Sequence, residues 1–193
     1  MNVRRYLLKI RLIDAEPEIW RRFVVPASIS LDRLHDVIQI VMGWNNSHLH
    51  EFTIGKKRYT ENPEFKEEGL ECGRYRLGDL IKQQGRVFEY LYDLGDCWEH
   101  EITLENSRYF NPDTRSESVY LEGERACPPD DVGGVSGYKS FCEILKDPLD
   151  EEYEHMIAWS GGNFDSKKFD DKAINYELMK YRCWSRDRLL PWD

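Results

Sequence analysis

The segment FEYLYDLGDCWEHEITLE, residues 88–105, decides the fold of this chain. Two runs rich in aromatic and β-branched residues lie on either side of residues 93–96, and Gly95 stands in that short loop. Because glycine accepts the positive φ that a tight turn needs, the pattern predicts a β-hairpin. In the second run, Trp98 and His100 alternate with glutamates, which predicts that both side chains point into the core.

A second hairpin is predicted at the start of the chain. Residues 4–13 and 19–25 alternate in polarity on either side of a proline-containing turn. A helix is expected over residues 31–42, where apolar side chains recur at helical spacing. Ser30 is the expected N-cap of this helix and Gly43 its expected stop.

Proline and glycine punctuate the remaining chain and predict its elements. Strands are expected at residues 48–54 and 119–122, and helices at residues 77–84, 138–145, 151–160 and 171–182. Polar residues 60–73 and 106–118 predict surface loops, and the tail, residues 183–192, is expected to dock on the body or on a second copy. Strands followed by helices indicate an α+β fold: an antiparallel or mixed sheet built from hairpins, with helices packed on one side and a mainly helical C-terminal third. A chain of 193 residues is expected to form one domain, 1–193.

Composition predicts a cytoplasmic protein. The five cysteines are odd in number and form no CxxC pair, which suits a reducing compartment. Lys9 and Arg11 interrupt the apolar N-terminus, so no signal peptide is expected. The longest stretch without a charged residue, residues 37–50, has 14 residues, fewer than the roughly 18 that a membrane span needs.

The net charge of −9 is unevenly distributed. Residues 1–59 carry ten basic and six acidic residues, and the remaining chain carries 17 basic and 30 acidic residues. Such an acidic balance disfavours non-specific binding to nucleic acid, which depends on phosphate neutralisation. The alternative is a local basic face, whose candidate members are Arg4, Arg5, Arg21, Arg22, Lys56, Lys57 and Arg58. No nucleic-acid-binding motif accompanies them, and basic residues that guard an edge strand are the commoner explanation.

Two strings of residues resemble the plasmid pRiA4b ORF-3-like family. They are Tyr90-x-Tyr92-Asp93-x-Gly95-Asp96-x-Trp98-x-His100 and Cys127-Pro128-Pro129-Asp130-Asp131-x-Gly133-Gly134-x-x-Gly137-Tyr138. The resemblance covers nearly the whole chain. It implies a protein of a kind found on plasmids, mobile elements and chromosomes, and it points to no particular activity.

Histidines and carboxylates suggest a divalent metal as a possible cofactor. His48 and His50 are two residues apart on a predicted strand, so both side chains leave the same face roughly 6.6 Å apart. Two imidazoles at that spacing can reach one ion, and His100, Asp93, Asp96 or the pair at 130–131 are the candidate further ligands. The alternative is that both histidines are hydrogen-bonded core residues and that Asp93 and Asp96 bond the turn backbone.

The glycine-rich stretch, residues 133–137, also has two interpretations. Its backbone N–H groups are suited to an anion, or it is a tight loop in which Ser136 caps the following helix. The carboxylates of Asp130 and Asp131 repel a phosphate unless a cation lies between the phosphate and these carboxylates. Cys127 is a possible thiol with His155 as its base, although a small apolar filler is the commoner role.

The leading functional hypothesis is a binding or adaptor module that uses the 93–100 turn and the 127–138 loop, with a protein partner favoured. Its expected contact residues are Tyr92, Asp93, Asp96, Trp98, His100, Asp130, Asp131, Gly133, Gly134 and Tyr138. A metal-dependent hydrolase is the alternative, in which the ion activates water. Association with the nucleic acid of mobile elements is a weaker alternative, suggested by the family resemblance.

Overall fold

A computed structural model describes residues 4–65, 67–110, 117–162, 164–168 and 170–184. The strands within these residues are β1 (Arg5–Leu12), β2 (Trp20–Pro26), β3 (His50–Ile54), β4 (Lys57–Thr60), β5 (Leu70–Glu71), β6 (Val87–Tyr92), β7 (Trp98–Asn106) and β8 (Val119–Glu124). The helices are α1 (Leu31–Met42), α2 (Leu77–Leu80), α3 (Gly134–Ile144), α4 (Tyr153–Trp159) and α5 (Asp171–Trp184), with one 3-10 helix over Cys72–Arg74. The expected docking of the tail concerns residues that lie mostly outside this described part.

All eight strands form one mixed sheet in the order β5-β4-β3-β6-β7-β1-β2-β8. Neighbouring strands are antiparallel except β4 and β5, which are parallel. The hairpin of β6 and β7 lies in the middle of this order, with the N-terminal hairpin of β1 and β2 beside β7. The predicted α+β class and both hairpins are therefore confirmed.

One face of the sheet is buried, because strand side chains alternate between its two faces. In β1, Leu8 and Ile10 are fully buried, whereas Lys9 lies on the other face. Helix α1 contributes Leu34 and Val37 to the same core. Its C-terminal end is as predicted: Gly43 adopts φ 107°, and its N–H donates to the Gln39 carbonyl.

Ser30 is the N-cap residue of α1, as predicted, although its side chain makes no capping hydrogen bond. Two other local predictions are wrong. Helix α3 begins at Gly134 because Gly133 turns the chain with φ 91°, so Ser136 lies inside the first turn and does not cap it. The region expected to be a loop at 60–73 contains strand β5 and the fully buried Cys72.

Two adjacent arginines of β2 lie on opposite faces of the sheet and therefore have different structural roles. Arg21 is on the buried face opposite Ile10, whereas Arg22 is on the outer face opposite Lys9. The guanidinium of Arg21 donates to the carbonyl oxygens of Val41 at 2.9 Å, Trp20 at 2.8 Å, Glu124 at 2.7 Å and Arg125 at 2.7 Å. Arg21 therefore ties β2 to the end of α1 and to the chain that leaves β8.

None of the helices in the described ranges is both long enough and apolar enough to span a bilayer.

We predict that Arg21→Met lowers the free energy of unfolding by about 3 kcal/mol, because several buried carbonyls lose a charged donor. The matched change Arg22→Met should cost no more than about 1 kcal/mol, because Arg22 makes partly exposed ion pairs with Glu105 and Glu122. Urea denaturation of both variants measures the difference. Equal losses would contradict the structural role of Arg21.

Candidate binding site at the central hairpin turn

The turn between β6 and β7 is built by an aspartate. Asp93 adopts φ 59° and Cys97 φ 54°, whereas Gly95 does not have positive φ. The prediction that Gly95 supplies the left-handed residue is therefore wrong. Asp93 tolerates this conformation because its side chain bonds the local backbone: Oδ1 accepts a hydrogen bond from the Gly95 N–H at 2.8 Å.

The turn meets the 127–138 loop. The Gly133 N–H donates to Oδ2 of Asp96 over 3.1 Å. A β-carbon at Gly134 would lie 2.5 Å from the Asp96 carbonyl oxygen, so only glycine allows the two backbones to approach this closely. Asp96 thus connects two segments that are more than thirty residues apart in the chain.

The beginning of the loop is held independently. Arg21 bonds the Arg125 carbonyl, and the indole N–H of Trp44 donates to the Pro128 carbonyl at 3.1 Å. Asp130 and Asp131 lie between these anchors and the bond at Gly133. The two carboxylates therefore project from a loop that is fixed at both ends.

A third segment completes the site just before β3. The Asp93 N–H donates to the Leu49 carbonyl at 2.9 Å, and the Ser47 N–H donates to the Tyr92 hydroxyl at 3.1 Å. Five residues from the three segments reach solvent here and form what we call the junction surface: His48, Leu49, Leu94, Asp96 and Asp131.

The imidazole of His48 lies between two carboxylates. Its Nε2 atom is 3.6 Å from Oδ2 of Asp93 and 3.4 Å from Oδ1 of Asp131. Within the ranges that the structure describes, these three residues are the one group of histidine, cysteine and acidic side chains with the spacing to hold a metal ion.

His50 and His100 do not join that group. His48 precedes β3 and faces the turn, so the expected pair of imidazoles on one strand face is not formed. The His50 ring stacks on the buried His35 ring with centroids 3.5 Å apart. His100 is fully buried, and its Nδ1 lies 3.3 Å from the Tyr90 carbonyl oxygen. The expected ligand role of Asp96 is likewise unsupported, since its carboxylate bonds Gly133.

Three of the expected contact residues form the floor of the site. Tyr92, Trp98 and His100 are fully buried, so they support the junction surface and do not form it. Burial raises the pKa of Tyr92 to about 12. Burial lowers the pKa of His100 to about 4, so this imidazole is neutral at pH 7.

The other loop residues are partly covered. Burial raises the pKa of the Asp130 carboxyl, while the His48 imidazole lowers it. Tyr138 is half-buried on helix α3, where its ring packs against Phe141 of the same helix and against Phe164, so it holds α3 to the segment that follows α4. Burial also raises the pKa of the Cys127 thiol, which makes it a poor nucleophile, and His155 is exposed on α4.

Sequence reasoning missed the two leucines of the junction surface. Leu49 is 60% exposed and Leu94 is 56% exposed. A signal for Leu94 was available, because an apolar residue in a turn as short as 93–96 has little chance of burial. The signal that Leu49 is exposed was weaker. It came only from the position of Leu49 between His48 and His50, which were assigned to one strand face, so that Leu49 was expected on the opposite face.

This α+β fold, with one mixed sheet and a site made of loops at the central hairpin, defines the structural class. The chain belongs to the Plasmid pRiA4b ORF-3-like protein family, whose sequence profile matches residues 4–173. The resemblance noted in the sequence is thereby confirmed.

Two relatives extend this assignment. The chain is 40% identical over 174 residues to the uncharacterised protein y4hQ of Sinorhizobium fredii. The aligned region covers 89% of this chain and 87% of that protein. It is similar to the crystal structure of MM3350, a protein of unknown function from Methanosarcina mazei Go1. That similarity has a TM-score of 0.80 and 32% identity, and covers 89% of this chain and 98% of the other. Neither description names a reaction or a ligand.

We predict that Gly134→Ala destabilises the protein more than Gly161→Ala does. Both glycines have positive φ, so alanine is strained at either position, by about 1 kcal/mol. The alanine at Gly161 meets no neighbour, whereas the one at Gly134 collides with the Asp96 carbonyl. The difference in unfolding free energy should exceed about 1 kcal/mol. Equal losses in urea denaturation would show that the two segments do not approach closely.

A second prediction concerns acid stability. The folded chain protonates His100 near pH 4, whereas the unfolded chain does so near 6.5, so the unfolded state holds more protons between these values. Stability from His100 is fully present above that window and is lost as pH falls through it. Between pH 7 and 5 the loss should be about 2 kcal/mol. Urea denaturation at both pH values should show a loss smaller by this amount in His100→Phe, and an unchanged pH dependence would refute the assignment.

Proposed function

We propose that this protein is a binding module that recognises a partner protein through the junction surface. The observation that carries the proposal is the pair of leucines, both more than half exposed beside carboxylates on a rigid frame. Apolar side chains on a protein surface that are grouped and surrounded by polar residues favour a role in contact with another molecule. Loops that a rigid sheet positions are common sites of recognition.

The frame keeps the leucines in place before any partner arrives. Leu49 and Leu94 belong to different segments, and the hydrogen bond from the Asp93 N–H to the Leu49 carbonyl joins those segments. The bond between Asp96 and Gly133 then ties the turn to the loop. A preorganised surface loses less conformational entropy on binding, so a small set of contacts yields useful affinity.

Charge indicates the chemistry of the partner. Asp96 lies in the turn beside Leu94, and residues 60–193 carry 17 basic against 30 acidic residues. A negative surface attracts positively charged segments and speeds their association. The partner segment that fits therefore combines an apolar side chain with lysine or arginine.

The alternatives receive less support. The hydrolase hypothesis relied on three imidazoles, and two of them, His50 and His100, are in the core. The basic face for nucleic acid is divided, because β2 and β4 lie far apart in the sheet order. Arg21 is buried and Arg22 is paired with acidic residues.

The prediction is tested by selecting peptides from a random display library on the immobilised wild-type protein. Selected peptides should pair an apolar residue with lysine or arginine. Their affinity for the double variant Leu49→Ser and Leu94→Ser should fall at least about tenfold, because the apolar anchors are lost. Fluorescence anisotropy with a labelled peptide measures the change.

Leu149→Ser is the matched control, because Leu149 is 93% exposed between α3 and α4. This variant should bind the selected peptides as the wild type does. Peptides that bind the double variant undiminished, or that Leu149→Ser also weakens, would exclude the junction surface as the contact region.

A further inference from the structure

Three metal-ligand atoms from three separate segments converge at the junction surface. They belong to His48, Asp93 and Asp131, and one ligand atom of each lies within 4.8 Å of the other two. His48 comes from the segment before β3, Asp93 from the hairpin turn and Asp131 from the loop. The convergence is therefore a product of the tertiary fold.

The distances from His48 Nε2 to the two carboxylate oxygens are closer to the separation of two ligand atoms on one ion than to the length of a direct hydrogen bond. His48 Nε2 lies 3.6 Å from the Asp93 oxygen and 3.4 Å from the Asp131 oxygen. A nitrogen that donates directly to a carboxylate lies about 2.7 to 3.2 Å from it. Two ligand atoms that are each about 2.1 Å from a zinc ion, at the tetrahedral angle, are about 3.4 Å apart.

Burial supplies an independent observation. The Nε2 atom of His48 is inaccessible to solvent, and it makes no hydrogen bond to any part of the chain that the structure describes. Asp93 is only 6% exposed, and its Oδ1 is engaged by the Gly95 N–H, so Oδ2 points at His48. Buried polar atoms without a hydrogen bond are uncommon in proteins, and a bound ion is one explanation for them.

We propose that His48, Asp93 and Asp131 bind one divalent transition-metal ion of the Zn²⁺ class. An imidazole nitrogen with two carboxylate oxygens suits such an ion, whereas Mg²⁺ and Ca²⁺ prefer oxygen ligands alone. Three protein ligands leave a fourth position open. Asp131 is exposed, so its carboxylate reaches the ion from the junction surface.

The ion would also cross-link the three segments of the site.

The metal-binding proposal does not depend on the proposed partner protein, because metal uptake is measured on the isolated protein. A failure of metal binding leaves the peptide selection untouched, and a failure of the selection leaves the metal site untouched.

The experiment uses the full chain, purified without a metal-affinity tag and treated with EDTA. Titration with Zn²⁺ at pH 7.5 by isothermal calorimetry should give one site per chain, with Mg²⁺ and Ca²⁺ binding much more weakly. His48→Ala and Asp131→Asn should each weaken Zn²⁺ binding at least about tenfold, since each removes a ligand. Asp131→Asn is the safer variant, because Asp131 is exposed and asparagine tolerates its φ of 61°.

Two further variants separate this site from adventitious binding. His155→Ala removes an exposed histidine on α4, and Cys97→Ser removes an exposed thiol beside the turn. Both should bind Zn²⁺ as the wild type does, and circular dichroism checks that every variant is folded. The proposal is overturned if the wild type takes up no Zn²⁺, if folded Asp131→Asn binds it undiminished, or if Cys97→Ser abolishes binding.

Discussion

The buried guanidinium of Arg21 is the interaction on which the rest of this structure depends. It donates to carbonyls at the end of helix α1, in its own strand and in the chain that leaves β8. A charged group inside a protein must have its N–H groups satisfied, so these carbonyls are held where the guanidinium reaches them. Because Arg125 is one of them, Arg21 also sets the direction in which the 127–138 loop departs.

The junction surface follows from that departure. The loop passes Trp44, which bonds the Pro128 carbonyl, and closes on the hairpin turn where Gly134 lies against Asp96. Its carboxylates are thereby brought over His48, although the residues come from distant parts of the chain. The floor beneath them is aromatic and uncharged, since burial keeps His100 neutral. Two exposed leucines and a set of metal-ligand atoms therefore share one small region, but they use different atoms: the side chains of Leu49 and Leu94 face outward, whereas the donor atoms face one another.

Much of the fold was readable from local patterns. The alternation in residues 88–105 predicted the central hairpin and the burial of His100, and the helical spacing in residues 31–42 predicted α1 with its stop at Gly43. The site was predicted less well. The sequence singled out Asp93 and Asp131, but it assigned His48 to the same strand face as His50. That error arose because strand β3 begins only at His50, and strand ends depend on pairing partners that a single segment does not reveal.

The sequence by itself determined the two hairpins, helix α1, the buried face of the central strands and the family, because each of these is written in the order of neighbouring residues. Only the tertiary structure decided that Arg21 is a buried donor to several backbone carbonyls while Arg22 is a surface residue. It likewise decided that the Asp96 carboxylate accepts a hydrogen bond from Gly133. It also decided that His48 belongs with two carboxylates while His50 belongs with His35. The physical reason is that hydrophobic periodicity acts over a few residues, whereas the meeting of a turn and a loop depends on how whole elements pack.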